Sequence, residues 1–448
     1  MLILIFSDLS KFIEIAFDFV LQEYYMKKNI ITIGCSLLIL LIIFNTAKAD
    51  EYADFIVDCF GNGDYKTINE AIDALPMYPY QRTIIFIRNG IYEEKLRIEQ
   101  HYITLCGESR DSTIIRYNQL REDWDKDKDY IGPAVINIYG DDIVLDNLTI
   151  ENSQPQIGPH AFAVYGNSTR TIIINCNVIS KGGDTVSLWN YKHGMYYHAN
   201  CNFEGAVDFV CPRGWCFVRD SKFYEIKETA ALWHAGNYSQ DQKFVIRNSY
   251  FYGVAGFNLG RNHYEAQFYL LDCRFSANMA DKPIFKVMNM DSSKNNPYYG
   301  GDRKYYYNCH KEGTPYDWYK DNLNEAAGSP KPEDVTPAWT FNGKWDPESK
   351  SPPLITGYKI EGKSLIITFN EIITVRGKPE FKNRSGKLFR IVMQRFNDIN
   401  KLMFVSDEHF SERDLSGEFK LLSGDIIASV ASVHERSIGS TFQFPSPK

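Results

Sequence analysis

The sequence lacks the features of three common classes of protein: nucleic-acid-binding proteins, zinc proteins and leucine-rich repeats. Basic residues are in deficit, with 49 Lys and Arg against 56 Asp and Glu, and the net charge of −7 disfavours binding to nucleic-acid phosphates. No two cysteines have the CxxC spacing typical of zinc sites, so we predict neither a metal nor another cofactor. No leucine skeleton runs through the chain, which excludes a leucine-rich repeat.

Aromatic residues, by contrast, are abundant. The 29 Tyr, 29 Phe and 7 Trp make up 15% of the 448 residues. Flat amphipathic rings suit either an extended sheet surface or a sugar-binding cleft. The length is about three times that of a usual domain, so the chain contains several domains or one elongated repetitive architecture.

The N-terminal 49 residues have the pattern of a secretory leader. A basic start at Met26 precedes the apolar run 30–44, and Ala47-Lys48-Ala49 is a cleavage motif ahead of Asp50. The run is shorter than the roughly 20 residues of a membrane span. We therefore predict that Met26 is the true start and that the mature protein has no membrane span. It would be secreted, to the periplasm or the cell surface; an uncleaved N-terminal anchor is the alternative.

Eight cysteines remain in the exported part of the chain. Export permits disulfides, although a chain of this size does not require them. Cys211 and Cys216 could close a small loop, or both could be buried thiols.

The composition changes sharply at residues 328–353, which hold 6 of the 18 prolines and predict a linker or a wrapping segment. Short apolar-rich runs follow it, partly alternating with polar residues, and predict a small antiparallel β-sandwich over 347–448. The segment Ser364–Glu371 resembles the opening strand of bacterial immunoglobulin-like modules.

The central region contains an internal repeat of Asn or Asp, then Cys or Ser, a free position, and Phe or Val. The repeats begin at Asn175, Asn200, Asp220, Asn248 and Asp272, at intervals of 25, 20, 28 and 24 residues. Short strands at such intervals predict an all-β fold, a right-handed parallel β-helix over residues 50–346, in which like residues stack. A propeller would need blades of about 40 residues.

The repeat brings two carboxylates together. Asp184 lies nine residues after Asn175, and Asp208 lies eight after Asn200, so both occupy nearly the same place in consecutive coils. Strands in a ladder lie about 4.8 Å apart. Two carboxylates that close do not ionise independently, which provides a base or nucleophile beside an acid. Alternatively, both could be turn residues that cap coil corners.

Several motifs together resemble those of the pectin methylesterases, over about residues 54–346. In chain order they are Asp64–Pro76, Ile87–Tyr92, Asn147–Asn152, Gly183–Thr185, Tyr196–Phe209 and Leu259–Arg261. The resemblance implies a right-handed parallel β-helix that removes methyl esters from galacturonan without a metal.

The resemblance also implies roles for three residues. Asp208 would be the nucleophile that attacks the ester carbonyl. Asp184 would be the general acid that protonates departing methanol, and then the base that activates water. Arg261 would hold Asp208 ionised and oriented.

The sequence departs from the family pattern where the oxyanion donors are expected. Gly183 and His160 stand in the places of the family's two glutamines, so His160 or backbone amides near Gly183 would have to donate instead. After Arg261 the family carries a Pro-Trp platform that stacks on sugar, whereas this chain has Asn262-His263. That role could pass to Trp189, to Trp233 or to tyrosines within 298–307. We count His160, Gly183, Trp189 and His263 as oxyanion or substrate-binding candidates.

These observations predict a secreted, monomeric esterase that acts on a methyl-esterified pectin or a related uronate polymer. Two alternatives stay open. One is a catalytically weakened sugar-binding β-helix, which the missing glutamines suggest. The other is a pectate-lyase-like enzyme, which shares the architecture but uses calcium.

Overall fold

The computed structural model shows a parallel β-helix followed by an antiparallel β module. It describes residues 53–77, 82–234, 236, 240–288, 290–295, 301–323, 329–349, 355–369, 374–394, 401–415, 417–427 and 441–443. The predicted leader, residues 1–49, and Tyr298 and Tyr299 lie outside these ranges. The expected start at Met26 and the region boundaries at 49 and 346 therefore stay predictions.

Each complete coil of the β-helix contributes one strand to each of three parallel sheets, called A, B and C. Numbered along the chain, sheet A contains β1 (Phe55–Val57), β2 (Thr83–Ile87), β5 (Ile103–Gly107), β8 (Val144–Asp146), β11 (Thr171–Ile174), β14 (Met195–Ala199), β17 (Trp215–Arg219), β20 (Lys243–Arg247), β23 (Gln267–Leu271) and β26 (Arg303–Tyr307). Sheet B contains β3 (Gly90–Glu93), β6 (Thr113–Tyr117), β9 (Thr149–Asn152), β12 (Asn177–Ser180), β15 (Asn202–Gly205), β18 (Lys222–Glu225), β21 (Tyr250–Gly253), β24 (Arg274–Phe275) and β27 (His310–Lys311). Sheet C contains β4 (Leu96–Ile98), β7 (Ala134–Ile138), β10 (Phe162–Gly166), β13 (Val186–Leu188), β16 (Val210–Pro212), β19 (Ala230–His234), β22 (Asn258–Asn262) and β25 (Phe285–Lys286). The predicted β-helix is thus confirmed.

The Asn or Asp that opens each repeat turns the chain from sheet A into sheet B. All five adopt the left-handed conformation, which Asn and Asp tolerate better than most residues. Their side chains also bond from coil to coil: Asn200 Nδ2 donates to Asn175 Oδ1 at 2.8 Å, and Asn248 Nδ2 donates to Asp220 Oδ1 at 2.5 Å. The repeated residue is therefore a corner that stacks on its own copies.

The other two repeat positions point into the core. Phe203, Phe223, Phe251 and Phe275 stack along sheet B, with ring centres of Phe223 and Phe251 only 4.3 Å apart. All eight cysteines of the described residues are free thiols, and Cys211 and Cys216 are both fully buried. The buried-thiol interpretation of that pair is therefore the correct one.

Helices lie at the ends and edges of the coils. α1 (Ile68–Asp73) begins with a capping box between Thr67 and Glu70 and buries Ile68, Ala71 and Ile72 against the first coil. α2 (Arg121–Lys126) and α3 (Pro337–Thr340) are also short helices. 3-10 turns span Ser292–Lys294, Asp317–Tyr319, Pro332–Asp334 and, beyond the coils, Glu412–Leu415.

The proline-rich segment wraps the β-helix. Val335, Phe341 and Trp345 are buried in one apolar cluster with residues of sheet A such as Phe217 and Val245. Arg247 Nη1 also donates to the Pro332 carbonyl at 3.1 Å. Of the two interpretations of this segment, its described residues favour the wrapping one.

Beyond it, seven strands form one antiparallel sheet in the order β28-β29-β32-β31-β30-β33-β34. They are β28 (Ile355–Glu361), β29 (Ser364–Phe369), β30 (Thr374–Asn383), β31 (Leu388–Gln394), β32 (Lys401–Val405), β33 (Glu418–Ile427) and β34 (Thr441–Gln443). Alternate residues such as Leu365, Ile367 and Phe369 enter a separate apolar core. The predicted antiparallel β module is confirmed.

Within the described ranges, no helix combines the length and the apolar composition that crossing a membrane requires.

Candidate active site

The two candidate carboxylates occupy matching corners of adjacent coils. Asp184 lies just before β13 and Asp208 just before β16, and these strands pair in parallel with Val186 opposite Val210. The Asp184 amide donates to the Val207 carbonyl at 2.9 Å, immediately beside Asp208. Both residues have left-handed backbones, with φ of 58° and 55°. They are therefore corner residues, as the alternative interpretation held, and also neighbours on one rung of the helix.

Arg261 binds Asp208 through two parallel hydrogen bonds. Its Nε donates to Oδ1 at 2.8 Å and its Nη2 to Oδ2 at 2.7 Å, which is the bidentate geometry that fixes both position and charge of a carboxylate. Arg261 belongs to β22, two coils beyond β16 in sheet C, so it reaches Asp208 past the intervening strand β19. Asp208 is thereby held in one orientation.

Asp184 has weaker partners. His160 Nε2 lies 3.6 Å from its Oδ1, and the Ser187 hydroxyl donates to its Oδ2 at 3.3 Å. The His160 ring is half exposed, whereas Asp184 is buried. His160 comes next to Asp184 because its backbone bridges to Gly183 in the following coil.

The two carboxyl groups are both buried but have different charged neighbours. Burial raises the pKa of Asp208 to about 6, although the hydrogen bonds and charge of Arg261 act to lower it. Burial also raises the pKa of Asp184, opposed by the charges of His160 and Arg213. Only Asp208 has a bidentate cation, and this contact favours its ionised form.

The remaining predicted residues lie around this pair with different partners. The Gly183 amide donates to the Pro159 carbonyl at 3.0 Å, so it is already engaged between coils. His263 Nδ1 accepts a hydrogen bond from Trp233 Nε1 at 2.7 Å, and burial lowers the pKa of His263. Trp189 Nε1 donates to the Ser187 hydroxyl at 2.6 Å, which links it to Asp184.

The tyrosine-rich stretch is not part of this group. Tyr305, Tyr306 and Tyr307 belong to β26 in sheet A, whereas β13, β16 and β22 are in sheet C. Tyr305 stacks on Tyr269, with ring centres 4.7 Å apart, and Tyr306 is buried in the core. Their aromatic surface stabilises the β-helix.

Sequence reasoning missed two charged residues near the carboxylates. The guanidinium of Arg213 lies 3.9 Å from the centre of the Trp189 ring and 4.7 Å from that of Trp233. Glu225 is fully buried at the end of β18, and burial raises its pKa to about 8. Neither belongs to a repeated motif. The pairing of β13 with β16 places Arg213, which follows β16, beside Trp189 of the preceding coil. This register is the signal by which Arg213 could have been found.

The fold and the site together define a parallel β-helix protein with a paired-carboxylate centre at the start of two sheet C strands. Residues 54–254 match the family model described as Pectinesterase. Asp184 and Asp208 lie inside the matched residues, and Arg261 lies just beyond them.

Curated relatives and solved structures are also similar to this chain. Pectinesterase 31 of Arabidopsis thaliana is 29% identical over 159 residues, which are 34% of this chain and 49% of the relative. Pectin methylesterase PemA from Erwinia chrysanthemi has the same fold, with a TM-score of 0.54 at 19% identity over 66% of this chain and 98% of that chain. A pectin methylesterase in complex with a hexasaccharide also has a TM-score of 0.54, at 19% identity over 66% of this chain and 99% of that chain.

The sequence similarity is partial. The chain spans about half, or less, of the length of three of the curated relatives that it matches.

Proposed function

We propose that this protein hydrolyses the methyl esters of a galacturonan or a related uronate polymer. The observation that carries the proposal is the Asp208 carboxylate, held by the Arg261 fork one rung away from the buried carboxyl of Asp184. An ionised carboxylate beside a protonated one supplies a nucleophile and an acid at the same reacting group.

In the first half of the reaction, a carboxylate oxygen of Asp208 attacks the ester carbonyl carbon. The tetrahedral intermediate collapses to an anhydride between Asp208 and the sugar carboxyl, and the methoxide oxygen leaves with the proton of Asp184 as methanol. Arg261 keeps Asp208 ionised before the attack and aims its oxygens.

In the second half, the ionised Asp184 removes a proton from water, and the water oxygen attacks the acyl carbon. The bond to Asp208 breaks, which releases the sugar carboxylic acid and restores the Asp208 carboxylate. Asp184 again holds its proton. One methanol and one carboxylic acid are formed for each water consumed.

Each tetrahedral intermediate requires a donor for its oxyanion. Because the Gly183 amide is engaged with Pro159, His160 is the predicted donor that lies beside the acid. Its Nε2 is 3.6 Å from Asp184, and half of its side chain is exposed to an arriving substrate.

The substrate class is inferred from the relatives. One similar structure is described as a pectin methylesterase in complex with a hexasaccharide, which suggests a polysaccharide substrate for this chain as well. The net charge of −7 suits an esterified polymer, which is less anionic than its product. We further propose that residues 1–49 direct export and that the exported monomer acts outside the cytoplasm, with residues 347–448 as an accessory module.

Methanol release from highly methyl-esterified polygalacturonan tests the proposal. The wild type is expected to release methanol, and Asp208→Asn to lose at least 10³-fold of that rate because the amide is a poor nucleophile. Asp272→Asn is the matched control: Asp272 is also a left-handed corner residue, but it accepts from Asn308 at a different corner.

Three results would contradict the proposal. An active Asp208→Asn protein would exclude the aspartyl mechanism. Binding of the polymer by the wild type without methanol release would instead identify a sugar-binding β-helix. A product with new ultraviolet absorbance, lost when a calcium chelator is added, would identify an eliminating lyase.

A further inference from the structure

A groove of about 700 Å³ crosses the C-terminal antiparallel sheet, and this volume is within the range of ligand sites. It lies on the face of β33 that points away from the apolar core of the module. Phe419 and Leu421 are buried in that core. Lys420 and Leu422, which alternate with them along the strand, are exposed and line the groove. The groove therefore combines positive charge with apolar surface.

Two lysines stand directly opposite each other in this groove. Lys382 of β30 pairs in register with Lys420 of β33. Residues opposite each other in an antiparallel pair have Cβ atoms about 4.5–5.5 Å apart, and like charges at that distance destabilise the sheet. The module thus keeps a charge pair that works against its own fold, which is expected where the charges serve a ligand.

Arg384, in the turn after β30, adds a third positive charge to the groove. Its Cδ lies 3.8 Å from the position of a Cβ added at Gly417, so its stem reaches across to the start of β33. Among the described residues, Glu418 is the one acid that lines the groove, and it accepts a hydrogen bond from Gln443 Nε2 at 3.5 Å. Three cations therefore face one acid.

These cations are free to bind an anion from outside the protein. Lys382, Arg384 and Lys420 are exposed, and none forms an ion pair with a described residue. The nearby Lys387 shows the contrast: its Nζ lies 3.0 Å from Asp414 Oδ2 and donates to the His409 carbonyl at 2.7 Å. The module thus neutralises a lysine beside the groove and leaves the three in the groove without an acid.

The spacing of the cations fits a ligand with repeated negative charges. Lys382 and Lys420 lie on neighbouring strands, about 4.8 Å apart, and Arg384 follows Lys382 by two residues, or about 6.6 Å of strand. A polymer of acidic sugars presents one carboxylate per unit, so several units can be contacted at once. Leu422, which is 38% exposed, adds an apolar surface that the carbon face of a sugar ring can cover and a chain of phosphates cannot.

We propose that this groove of the C-terminal module binds de-esterified stretches of a uronate polymer, and so keeps the protein on a polymer that it has already partly hydrolysed. The choice of polymer rests on the proposed function, because that reaction produces carboxylates along the chain. The whole protein has a net charge of −7, which repels such a product. A local group of three cations reverses that repulsion at one place.

Calorimetric titration of the full chain with fully de-esterified polygalacturonate tests the proposal. For a double variant, Lys382→Gln with Lys420→Gln, we expect a dissociation constant weaker by about tenfold or more, the size of one lost charge-assisted hydrogen bond. Lys359→Gln is the control, because Lys359 is an exposed lysine of β28, at the other end of the sheet, that pairs with Glu361 at 2.7 Å. It should bind like the wild type.

Two results of these titrations would overturn the assignment. Equal affinities of the wild type and the double variant would show that the lysines do not contact the polymer. Equal affinity of the wild type for inorganic polyphosphate would show a surface that attracts any polyanion, without selection for an acidic sugar.

The unfolding midpoint in denaturant separates a binding role of the lysines from a structural one. Because the double variant removes a like-charge pair, it should unfold at the same denaturant concentration as the wild type or at a higher one. A clearly lower midpoint would mean that the lysine stems support the sheet, and would overturn the argument. Arg384→Gln, in a turn outside the strands, provides the same binding comparison should the double variant fail to fold.

Methanol release from a short and a long substrate distinguishes this proposal from the proposed function. On a fully methyl-esterified trimer, the double variant should keep the kcat/KM of the wild type. On a long, partly de-esterified polymer, its KM should rise about tenfold with kcat nearly unchanged. If no methanol is ever released, the calorimetric difference still supports the groove. If methanol release is established but the affinities are equal, the groove proposal alone fails.

Discussion

Arg261 and Asp208 are joined by two hydrogen bonds although 53 residues separate them in the chain. Their strands are next-but-one neighbours in sheet C, and the parallel register brings the arginine over the intervening coil. This pairing opposes the effect of burial on Asp208. The ionisation of the candidate nucleophile therefore depends on a residue from a different coil.

Replacing Arg261 should move the acid limb of the pH profile. In the proposed mechanism Asp208 must be ionised to attack, and its pKa of about 6 already includes the lowering by Arg261. In Arg261→Gln that pKa rises above about 6, so the loss of activity on acidification begins at a higher pH. We expect kcat/KM to fall by on the order of 10² at pH 6 and to recover partly at higher pH.

The pH dependence of kcat/KM for methanol release is the measurement. Arg261→Lys keeps the charge without the fork and should give a smaller displacement. An acid limb that stays in place in Arg261→Gln would show that Arg261 does not control the ionisation of Asp208.

His160 should matter for kcat more than for KM. If its ring donates to the oxyanion, His160→Ala loses a donor that acts mainly in the transition state, at a cost of about 10²–10³ in kcat. His160→Gln should recover part of the rate because an amide side chain can donate in the same place.

The control for His160 is His310→Ala, an exposed histidine on β27 in sheet B. Full activity of His160→Ala, together with inactive Asp208→Asn, would make His160 incidental to the reaction.

The parts of the fold predictable from sequence are those in which a residue stacks on a copy of itself. Asn175 and Asn200 bond to each other, and Phe223 stacks on Phe251, so the sequence shows the same residues returning at intervals of 20 to 28. The rung shared by Asp184 and Asp208 follows from the same periodicity.

Contacts between unlike residues could not be predicted in this way. The stack of Trp189, Arg213 and Trp233 depends on the direction of three side chains, and no repeat marks it. Because glycine has no side chain, the sequence predicts an accessible Gly183 amide, but the coil geometry engages that amide with the Pro159 carbonyl. Sequence shows where the coils return, whereas side-chain directions decide which groups are free to act.

The phenylalanine ladder should stabilise the β-helix strongly. Phe223 is fully buried, with ring centres of Phe251 and Phe203 at 4.3 and 5.3 Å. Truncation to Ala removes these contacts and leaves a cavity, so we expect Phe223→Ala to lose about 3–5 kcal/mol of unfolding free energy. Denaturant unfolding is the measurement.

Phe60→Ala is the matched control for the ladder, because Phe60 is 76% exposed and should change the unfolding free energy by less than about 0.5 kcal/mol. Similar losses in both variants would contradict a stabilising role of the ladder.

Glu225 should make the folded state less stable as the pH rises. Its Oε1 accepts from the Lys227 amide, its Oε2 is buried without a partner among the described residues, and burial raises its pKa to about 8. The folded protein keeps this proton while the unfolded chain releases it near pH 4.5. Stability contributed by the raised pKa is therefore complete below about pH 4.5 and is lost progressively up to about pH 8, at about 1.4 kcal/mol per pH unit.

Glu225→Gln removes the titrating proton but keeps an acceptor for the Lys227 amide. The unfolding free energy of wild type minus that of Glu225→Gln, measured by denaturant at several pH values, should decrease from pH 5 to pH 8. Glu333→Gln, at an exposed glutamate of the wrapping segment, should give a difference that stays flat over the same range. A flat difference for Glu225→Gln as well would contradict this prediction, because it would mean that the Glu225 carboxyl group ionises in the folded protein without cost. The polar surroundings of Asp208 would then extend further into the core than the hydrogen bonds indicate.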